Sequence, residues 1–435
     1  MSSNHVVPIR PAAPRIAVVS HSHPSISKGG AEIAAYTLYN GLRTLGCDAI
    51  FIAACPESAR NKVFCASEHE YVIFTRGEIF EHFYQLGAHH IGAELEEVLL
   101  SRRIQLVNFH HFTNFGLGAL RRIRALPDIR MAFTIHEFLA LCFNHGQMIT
   151  AGGQRLCEEP SLDGCVACFP NRTRNDFFHR SRLFLEVLSS FDQLISPSHF
   201  LAERFHQWGI EEEKLFVVEN GLAHLPEVAP EGSVRRRREW TFGFFGQINP
   251  FKGVDVILDA AELLKKERVA NVRFRIHGNL IGQTEQFCNR FRDACASGAV
   301  EYFGAYDNRN VARLMADCDY ILLPSRWWEN SPVVIQEAFG VGRPVLCSGV
   351  GGMAEKVRNG VSGLHFRLGD AGDLAHCVVE AASQDTYRRL VKGLPRPFDG
   401  VEMARRYLEV FSGERKKADA PVLRTVDDIQ SISFV

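Results

Sequence analysis

Two glutamates with seven residues between them, Glu329 and Glu337, bracket a stretch suited to starting a helix: Asn330-Ser331-Pro332-Val333. Ser331 suits the N-cap and Pro332 the first helical position, so the spacing predicts a helix from Pro332. The bare amides and dipole of a helix start attract a diphosphate or sugar hydroxyls. Glu329 precedes that helix and Glu337 lies about two turns inside it, so the two carboxylates address different parts of one extended ligand. A second element, Gly246-Gln247-Ile248-Asn249-Pro250-Phe251-Lys252-Gly253, offers close backbone approach at Gly246 and a cation at Lys252. The Gly-rich segment Gly349-Val350-Gly351-Gly352 adds a third set of amides. His136 follows the apolar run Phe133-Thr134-Ile135. It reads either as a site imidazole or as an ordinary polar strand end. A lone glutamate is usually a surface carboxylate; it is the combination that argues for a site.

Those residues need a scaffold, and the sequence supplies one twice. Arg15–Ser20, Ala49–Ala54, Gln105–Asn108, Ala132–Ile135, Leu194–Ser196 and Leu215–Val218 read as buried strands separated by helical patterns, the first helix running from Ala31 to Leu45. The rhythm restarts with strands at Thr241–Phe245, Arg273–His277, Tyr320–Leu323 and Pro344–Cys347, with helices from about Val254, Glu285, Asn310, Pro332 and Asp370. Alternating β and α elements imply an α/β fold of two Rossmann-like domains, each a parallel sheet covered on both faces. In such sheets ligands bind beyond the carboxyl ends of the strands, where all three candidate loops lie. The predicted organisation is a flexible 1–14, a first domain over 15–223, a linker at 224–239, a second domain over 240–400, a helix at 401–413 crossing back to the first domain, and a disordered tail from 414. The linker contains prolines and Arg235-Arg236-Arg237-Arg238, read as a solvated stretch.

Composition agrees with a globular enzyme. The 435 residues exceed what one ordinary core accommodates, and 46% hydrophobic against 23% charged residues is a soluble balance. A net charge of -1 gives no field for nucleic acid. No apolar run reaches the roughly 18 residues of a membrane span. The polar start Met1-Ser2-Ser3-Asn4-His5 leads to an expected cytoplasmic location.

Taken together, the motifs resemble the retaining glycosyltransferases of family 4, which have the GT-B fold of two Rossmann-like domains facing a central cleft. Glu329 and Glu337 match that family's paired glutamates. Gly342, Pro344-Val345, Gly351-Gly352, Glu355 and Gly360 follow its C-terminal signature. Gly29-Gly30-Ala31-Glu32 resembles its N-terminal loop beneath the donor diphosphate, and Glu219-Asn220-Gly221 the motif closing the first domain. The resemblance covers most of Arg15 to about Phe411. It implies that Glu337 binds the ribose and that Glu329, with amides near Asn330 to Val333, holds the donor sugar. It also implies that Lys252 offsets charge on the departing diphosphate, that His136 lies near the transferred sugar, and that Gly29 and Gly30 let the first domain approach the diphosphate. The expected donor is a nucleoside-diphosphate sugar, the acceptor a glycan or a lipid-linked saccharide, as in polysaccharide or cell-envelope glycan synthesis. No cofactor is expected for catalysis. One departure is Gln247, where the family usually has Arg; Gln lacks the fixed charge and fork, and Arg326 or an arginine of the first domain is a candidate replacement. Rival readings are a GT-B sugar phosphorylase or epimerase, and a non-catalytic sugar-nucleotide-binding partner.

Several features compete with bland alternatives. Cys142, Cys157, Cys165 and Cys168 lie in a loop-like insertion and suggest a structural zinc, against free thiols or a redox pair. Arginines at 102, 103, 121, 122, 124, 130, 172, 174, 180 and 182 suggest docking on an anionic membrane surface, against a solvated face. His110, His111, Trp327, Trp328 and Glu355 are read as structural, as is Asp317-Cys318-Asp319.

Overall fold

A strand that lies inside a parallel sheet is covered on both faces, so it is apolar throughout. Ile16-Ala17-Val18-Val19-Ser20 is such a segment, with every residue buried. The computed structural model describes residues 14–27, 29–75, 82–151, 155–225 and 239–414. Within it β1 (Ile16–Ser20) lies between β2 (Ala49–Pro56) and β4 (Leu106–Phe109). With β3 (Glu70–Thr75), β5 (Arg130–Thr134), β6 (Gln193–Ser196) and β7 (Leu215–Val217) they form a seven-stranded sheet ordered β3-β2-β1-β4-β5-β6-β7. The second sheet has six strands: β8 (Trp240–Phe245), β9 (Val272–His277), β10 (Glu301–Gly304), β11 (Tyr320–Leu323), β12 (Val345–Ser348) and β13 (Gly363–Phe366), ordered β10-β9-β8-β11-β12-β13. All strand pairings in both sheets are parallel.

The strands missed by pattern, β3, β10 and β13, are all edge strands. β3 and β10 are mostly half-buried or exposed, and β13 is a four-residue strand interrupted by His365, so each lacks the continuous apolar run that marks β1. Residues 1–13, the prolines and arginines of the expected linker at 226–238, and the tail from 415 lie outside the described residues.

The helix Gly400–Ser412 packs on the first sheet. Its Met403, Ala404, Tyr407, Val410 and Phe411 share one buried cluster with Ile16, Val18, Phe51 and Ala132. Two glycines allow this closeness. A Cβ on Gly41 of the helix Gly30–Thr44 would overlap the Gly400 carbonyl oxygen, and one on Gly221 would overlap that of Asp399. The chain is pinned there by Leu222, whose amide donates to Phe398 O at 2.7 Å and whose carbonyl accepts from Gly400 N at 3.0 Å.

The close approach generates a prediction. Gly41→Ala keeps helical geometry but forces the C-terminal helix outward, an overpacking that costs roughly 1–3 kcal/mol. Chemical denaturation will report the loss, and amide exchange will rise first in 400–412. Wild-type protection of that helix in the variant would contradict the packing.

Candidate functional site

The three candidate loops leave neighbouring strands of the second sheet, β8, β11 and β12, at their carboxyl ends. Glycine is required where they touch. Gly253 has φ +70°, and a Cβ there would overlap the Pro324 carbonyl oxygen. Gly352 N donates to Glu329 O at 2.7 Å, and a Cβ on Gly352 would overlap the Asn330 carbonyl oxygen. Backbone contact therefore fixes the loops relative to one another before any side chain is considered.

Glu329 is 9% exposed, and its Oε1 accepts three hydrogen bonds. Lys252 Nζ donates at 2.6 Å, Ser325 Oγ at 2.7 Å and Trp327 Nε1 at 2.7 Å. Burial alone would raise its pKa, but the Lys252 charge and these three donors outweigh it and hold the carboxyl below its ordinary value. Oε2 carries none of these bonds. Lys252 also lies 5.3 Å from the centre of the Trp327 ring. Its backbone is set by Asn249, whose Oδ1 accepts from Phe251 N and Lys252 N at 3.0 and 3.1 Å.

Glu337 has the opposite environment. Its one hydrogen-bond partner here, Asn308 Nδ2, is 3.5 Å away, and burial pushes its pKa up to about 7. Two carboxylates of one segment are thus held apart in protonation by different surroundings.

The helix that Glu329 precedes and that contains Glu337 spans Val333–Gly340, with Pro332 as its N-cap and no side-chain cap. This corrects the reading of Ser331 as the cap and Pro332 as the first helical residue. Pro332 is extended at ψ 116°, and its carbonyl takes the first helical bond, from Ile335 N at 3.0 Å. Gln247 is exposed. Arg326, the candidate replacement for the absent arginine, pairs with Asp255 at 2.6 Å.

The carboxyl ends of the first sheet face this edge. Gly29 is the N-cap of Gly30–Thr44, placed just after β1, and His136 follows β5. Asn330 Nδ2 donates to the His136 carbonyl at 2.9 Å. Nearby, Gln336 Nε2 donates to Asn220 O at 2.5 Å, Lys356 pairs with Glu219 at 3.0 Å, and Trp328 packs on Phe200 at 5.0 Å. Glu355 caps the helix His199–Trp208 through His199 N and Phe200 N at 3.0 and 2.8 Å. His136 also joins a group sequence reasoning set aside as structural. Its Nε2 meets His110 Nδ1 at 2.9 Å, while His21 and His111 lie 4.5 Å apart between ring centres. The signal for this group was the repeated placement of histidine just past a strand. Asp319 instead bonds Thr241 N at 2.8 Å, at the start of β11, away from these loops.

The zinc reading of Cys142, Cys157, Cys165 and Cys168 finds no support. The four thiols line one cavity of about 70 Å³, largely apolar, with Phe143, Met148 and Phe177. Among the described residues, the one group of three or more His, Cys, Asp or Glu with ligand atoms close enough to share an ion is His23, Cys65 and Glu70. The thiols surround a space and do not converge on a point. Part of the arginine-rich set is engaged within the protein. Arg121, Arg122, Arg124 and Arg174 pair with Glu186, Glu96, Asp192 and Asp163. Arg130 donates to the Phe411 carbonyl, and buried Arg180 donates to the Phe83, Leu139 and Ala140 carbonyls. Four of the ten arginines on which the docking expectation rests are thus paired with carboxylates. No helix among the described residues is long and apolar enough to cross a membrane.

Comparison with known proteins agrees with this arrangement. A family model described as "Glycosyltransferase Family 4" matches residues 28–224, and one described as "Glycosyl transferases group 1" matches 239–384. The chain belongs to the family 4 glycosyltransferases, and its two sheets are the two halves of the GT-B fold. A D-inositol 3-phosphate glycosyltransferase of Mycobacterium sp. (strain JLS) is 30% identical over 201 residues, which are 44% of this chain and 45% of that one. A Campylobacter jejuni N,N'-diacetylbacillosaminyl-diphospho-undecaprenol alpha-1,3-N-acetylgalactosaminyltransferase is 25% identical over 235 residues, 50% of this chain and 60% of that one. The chain spans less than two thirds of the length of the curated relatives it matches. Among solved structures, Anabaena HepE in complex with UDP superposes with a TM-score of 0.66 at 17% identity, over 92% of this chain and 100% of that one. Sucrose-phosphate synthase from Thermosynechococcus elongatus gives 0.64 at 16%, over 92% and 97%.

The buried ion pair supplies a prediction. Lys252→Met leaves Glu329 buried without its cation, which costs on the order of 3 kcal/mol and raises the Glu329 pKa. The folded-state pKa of Glu329 is depressed, so the stability it contributes is present above its unfolded value and fades as pH falls through the folded one. Chemical denaturation near neutral pH will show the Lys252→Met loss, and adding Glu329→Gln will recover part of it. Independent, additive losses would show that the two residues are not coupled.

Proposed function

We propose that this protein moves a glycosyl group from a nucleoside-diphosphate sugar to a saccharide or lipid-linked acceptor, with retention at the anomeric carbon. The observation that carries the reading is the shared edge. Glu329 with Lys252, and Glu337 beyond them, stand on one unit, and Asn330 reaches the His136 carbonyl on the other. The names of similar proteins point the same way: HepE is described with UDP-glucose, and the Campylobacter relative acts on an undecaprenol-linked saccharide. A role in polysaccharide or cell-envelope glycan synthesis follows from that acceptor class.

In this reading each group has one task. Glu337 accepts hydrogen bonds from the ribose hydroxyls. Glu329 Oε2 and the amides of Asn330, Ser331 and Val333, beside the Pro332 turn, hold the sugar. Lys252 meets the departing diphosphate; an ammonium has three donors, so it keeps Glu329 while donating to a phosphate oxygen. Gly246, with Gly29 and Gly30 opposite, leaves space for the diphosphate. The bond from the anomeric carbon to the diphosphate oxygen breaks, and the acceptor oxygen bonds that carbon on the same face. The acceptor's proton passes to the departing diphosphate. His136 borders the transferred sugar. Exposed Gln247 supplies no charge, so the diphosphate relies on Lys252 and backbone amides.

A thermal-shift screen with UDP, GDP, ADP and their sugars tests the donor. A cognate nucleotide at a hundredfold excess over its Kd adds about 2.7 kcal/mol, and Glu337→Ala should remove most of it. If no nucleoside diphosphate stabilises the wild type, the proposal is wrong. If one binds and no sugar transfer follows with any acceptor, a non-catalytic binding role replaces it.

Acidity provides a further prediction. The Glu337 carboxylate, not the acid, accepts two ribose hydroxyls, and its pKa is about 7. Nucleotide affinity should therefore fall as pH drops from 8 to 6, by up to about tenfold per unit below the pKa. Calorimetry on Glu337→Gln should show weaker binding with that dependence gone. A pH slope retained in the variant would assign the titration to another group.

A further inference from the structure

His136 is the terminus of a buried chain of polar groups that the proposed chemistry does not use. The chain begins on the C-terminal helix. Tyr407 Oη lies 3.1 Å from Thr134 Oγ1, and Thr134 Oγ1 lies 3.1 Å from Asn108 Oδ1. Asn108 Nδ2 lies 3.0 Å from His110 Nε2, and His110 Nδ1 lies 2.9 Å from His136 Nε2. Tyr407, Thr134, Asn108 and His110 are each 0% exposed, so water does not complete these bonds. Asn108 stands on β4 opposite Ala132, Thr134 lies two residues further along β5, and His110 follows just beyond β4.

The direction of such a chain is set at its ends. A buried phenol must donate its hydrogen, and the Thr134 hydroxyl is the oxygen that faces it. Thr134, having accepted from Tyr407, donates to Asn108 Oδ1. The amide nitrogen of Asn108 is then directed at His110 Nε2, which must be a bare acceptor. The His110 proton therefore sits on Nδ1 and is donated to His136 Nε2, which must be bare in turn. His136 keeps its own proton on Nδ1, the ring nitrogen with no protein partner among the described residues. Asn108 Nδ2 also lies 3.0 Å from Thr134 Oγ1, so the placement of this amide, its nitrogen toward both Thr134 and His110 and its oxygen toward the Thr134 hydroxyl, sets the order together with the Tyr407 hydrogen.

We infer that Tyr407, Thr134, Asn108 and His110 are positioning residues that fix His136 in its Nδ1–H tautomer and present that hydrogen as a donor at the edge between the two sheets. Neutral rings fit this arrangement: burial, then neighbouring His111, bring His136 down to about 3, and burial, then His136 and His21, bring His110 well below its ordinary value. An Nδ1–H donor suits a sugar hydroxyl or ring oxygen. The inference rests on the glycosyl-transfer reading only for that last step, because the tautomer exists with or without activity. The helix that crosses back to the first sheet thereby acquires a functional connection, since it brings the phenol that orients the chain.

The test is nitrogen NMR on protein labelled with 15N-histidine, with resonances assigned by His136→Gln and His110→Gln. In the wild type at neutral pH, His136 and His110 should each show a protonated Nδ1 and a bare Nε2. Tyr407→Phe keeps the ring packing and removes the terminal donor, so the His136 signals should move toward a mixture of tautomers. Once the donor sugar and an acceptor are known, kcat should fall roughly tenfold in Tyr407→Phe, with the KM for the nucleotide sugar held within about twofold. A structural role alone would shift the melting temperature and leave the tautomer unchanged. An Nε2–H tautomer on wild-type His136 would overturn the inference, as would a tautomer unaltered by Tyr407→Phe. If the tautomers are as stated and no nucleotide sugar binds, the relay stands and the transferase reading falls.

Discussion

The arrangement depends on keeping one buried carboxylate ionised. Glu329 is removed from water at the end of β11, where burial favours its neutral acid. Lys252 reaches it from the loop after β8, and Trp327 and Ser325 reach it from its own loop. Their combined effect exceeds the desolvation, and all of it falls on Oε1. The consequence is geometric as much as electrostatic. One oxygen locks two loops together, and the other stays available. The same bonds place a cation beside the carboxylate, so in the proposed reading a group that holds sugar hydroxyls stands next to one that offsets the charge of a diphosphate. Replacing the pair by apolar groups of equal volume would be less demanding for stability, which argues that the pair is retained for the charge itself.

Backbone closeness is the second constraint, and it explains where glycine is irreplaceable. Loops that must share one edge cannot be separated by side chains. Gly253 lies against Pro324, Gly352 against Asn330, and Gly278 against Gly246. At Gly253 and Gly278 the positive φ adds a second reason, since L side chains rarely adopt it. Each contact joins a loop of one strand to a loop of its neighbour. The amides of the second unit are therefore held before a ligand arrives, which lowers the ordering a ligand must impose.

Much of this was legible in the sequence because it has a strong local signal. β1, β8 and β11 are continuous apolar runs, and Glu329, Pro332 and Glu337 lie at spacings that a helix start dictates. The edge strands β3 and β10 were not legible, because they are largely half-buried or exposed and lose the continuous apolar pattern. The cap shifted by one residue because proline fixes φ but leaves ψ free, and ψ at Pro332 is extended. Pairings across long sequence distances were invisible. Asp255 pairs with Arg326, and Glu186, Glu96 and Asp192 pair with Arg121, Arg122 and Arg124, all from distant stretches of sequence. The four cysteines illustrate the opposite failure: nearness in sequence suggested a common ligand, whereas the fold arranges the thiols around a cavity.

The histidines show why a residue judged structural can still belong to the site. His110 is wholly buried, and burial usually signals packing. Yet imidazole has two nitrogens, so a buried ring bonded at both passes the polarity of one neighbour to the next. Asn108 does the same through its amide and Thr134 through its hydroxyl. None of these groups contacts a ligand in order to influence one. What they hold is a choice between two tautomers that differ little in energy in water, and a buried phenol 273 residues along the chain from Thr134 bears on it through the Thr134 hydroxyl. The fold makes that distance short by laying the helix Gly400–Ser412 across the first sheet, so the segment that closes the chain also determines which face of His136 offers a hydrogen.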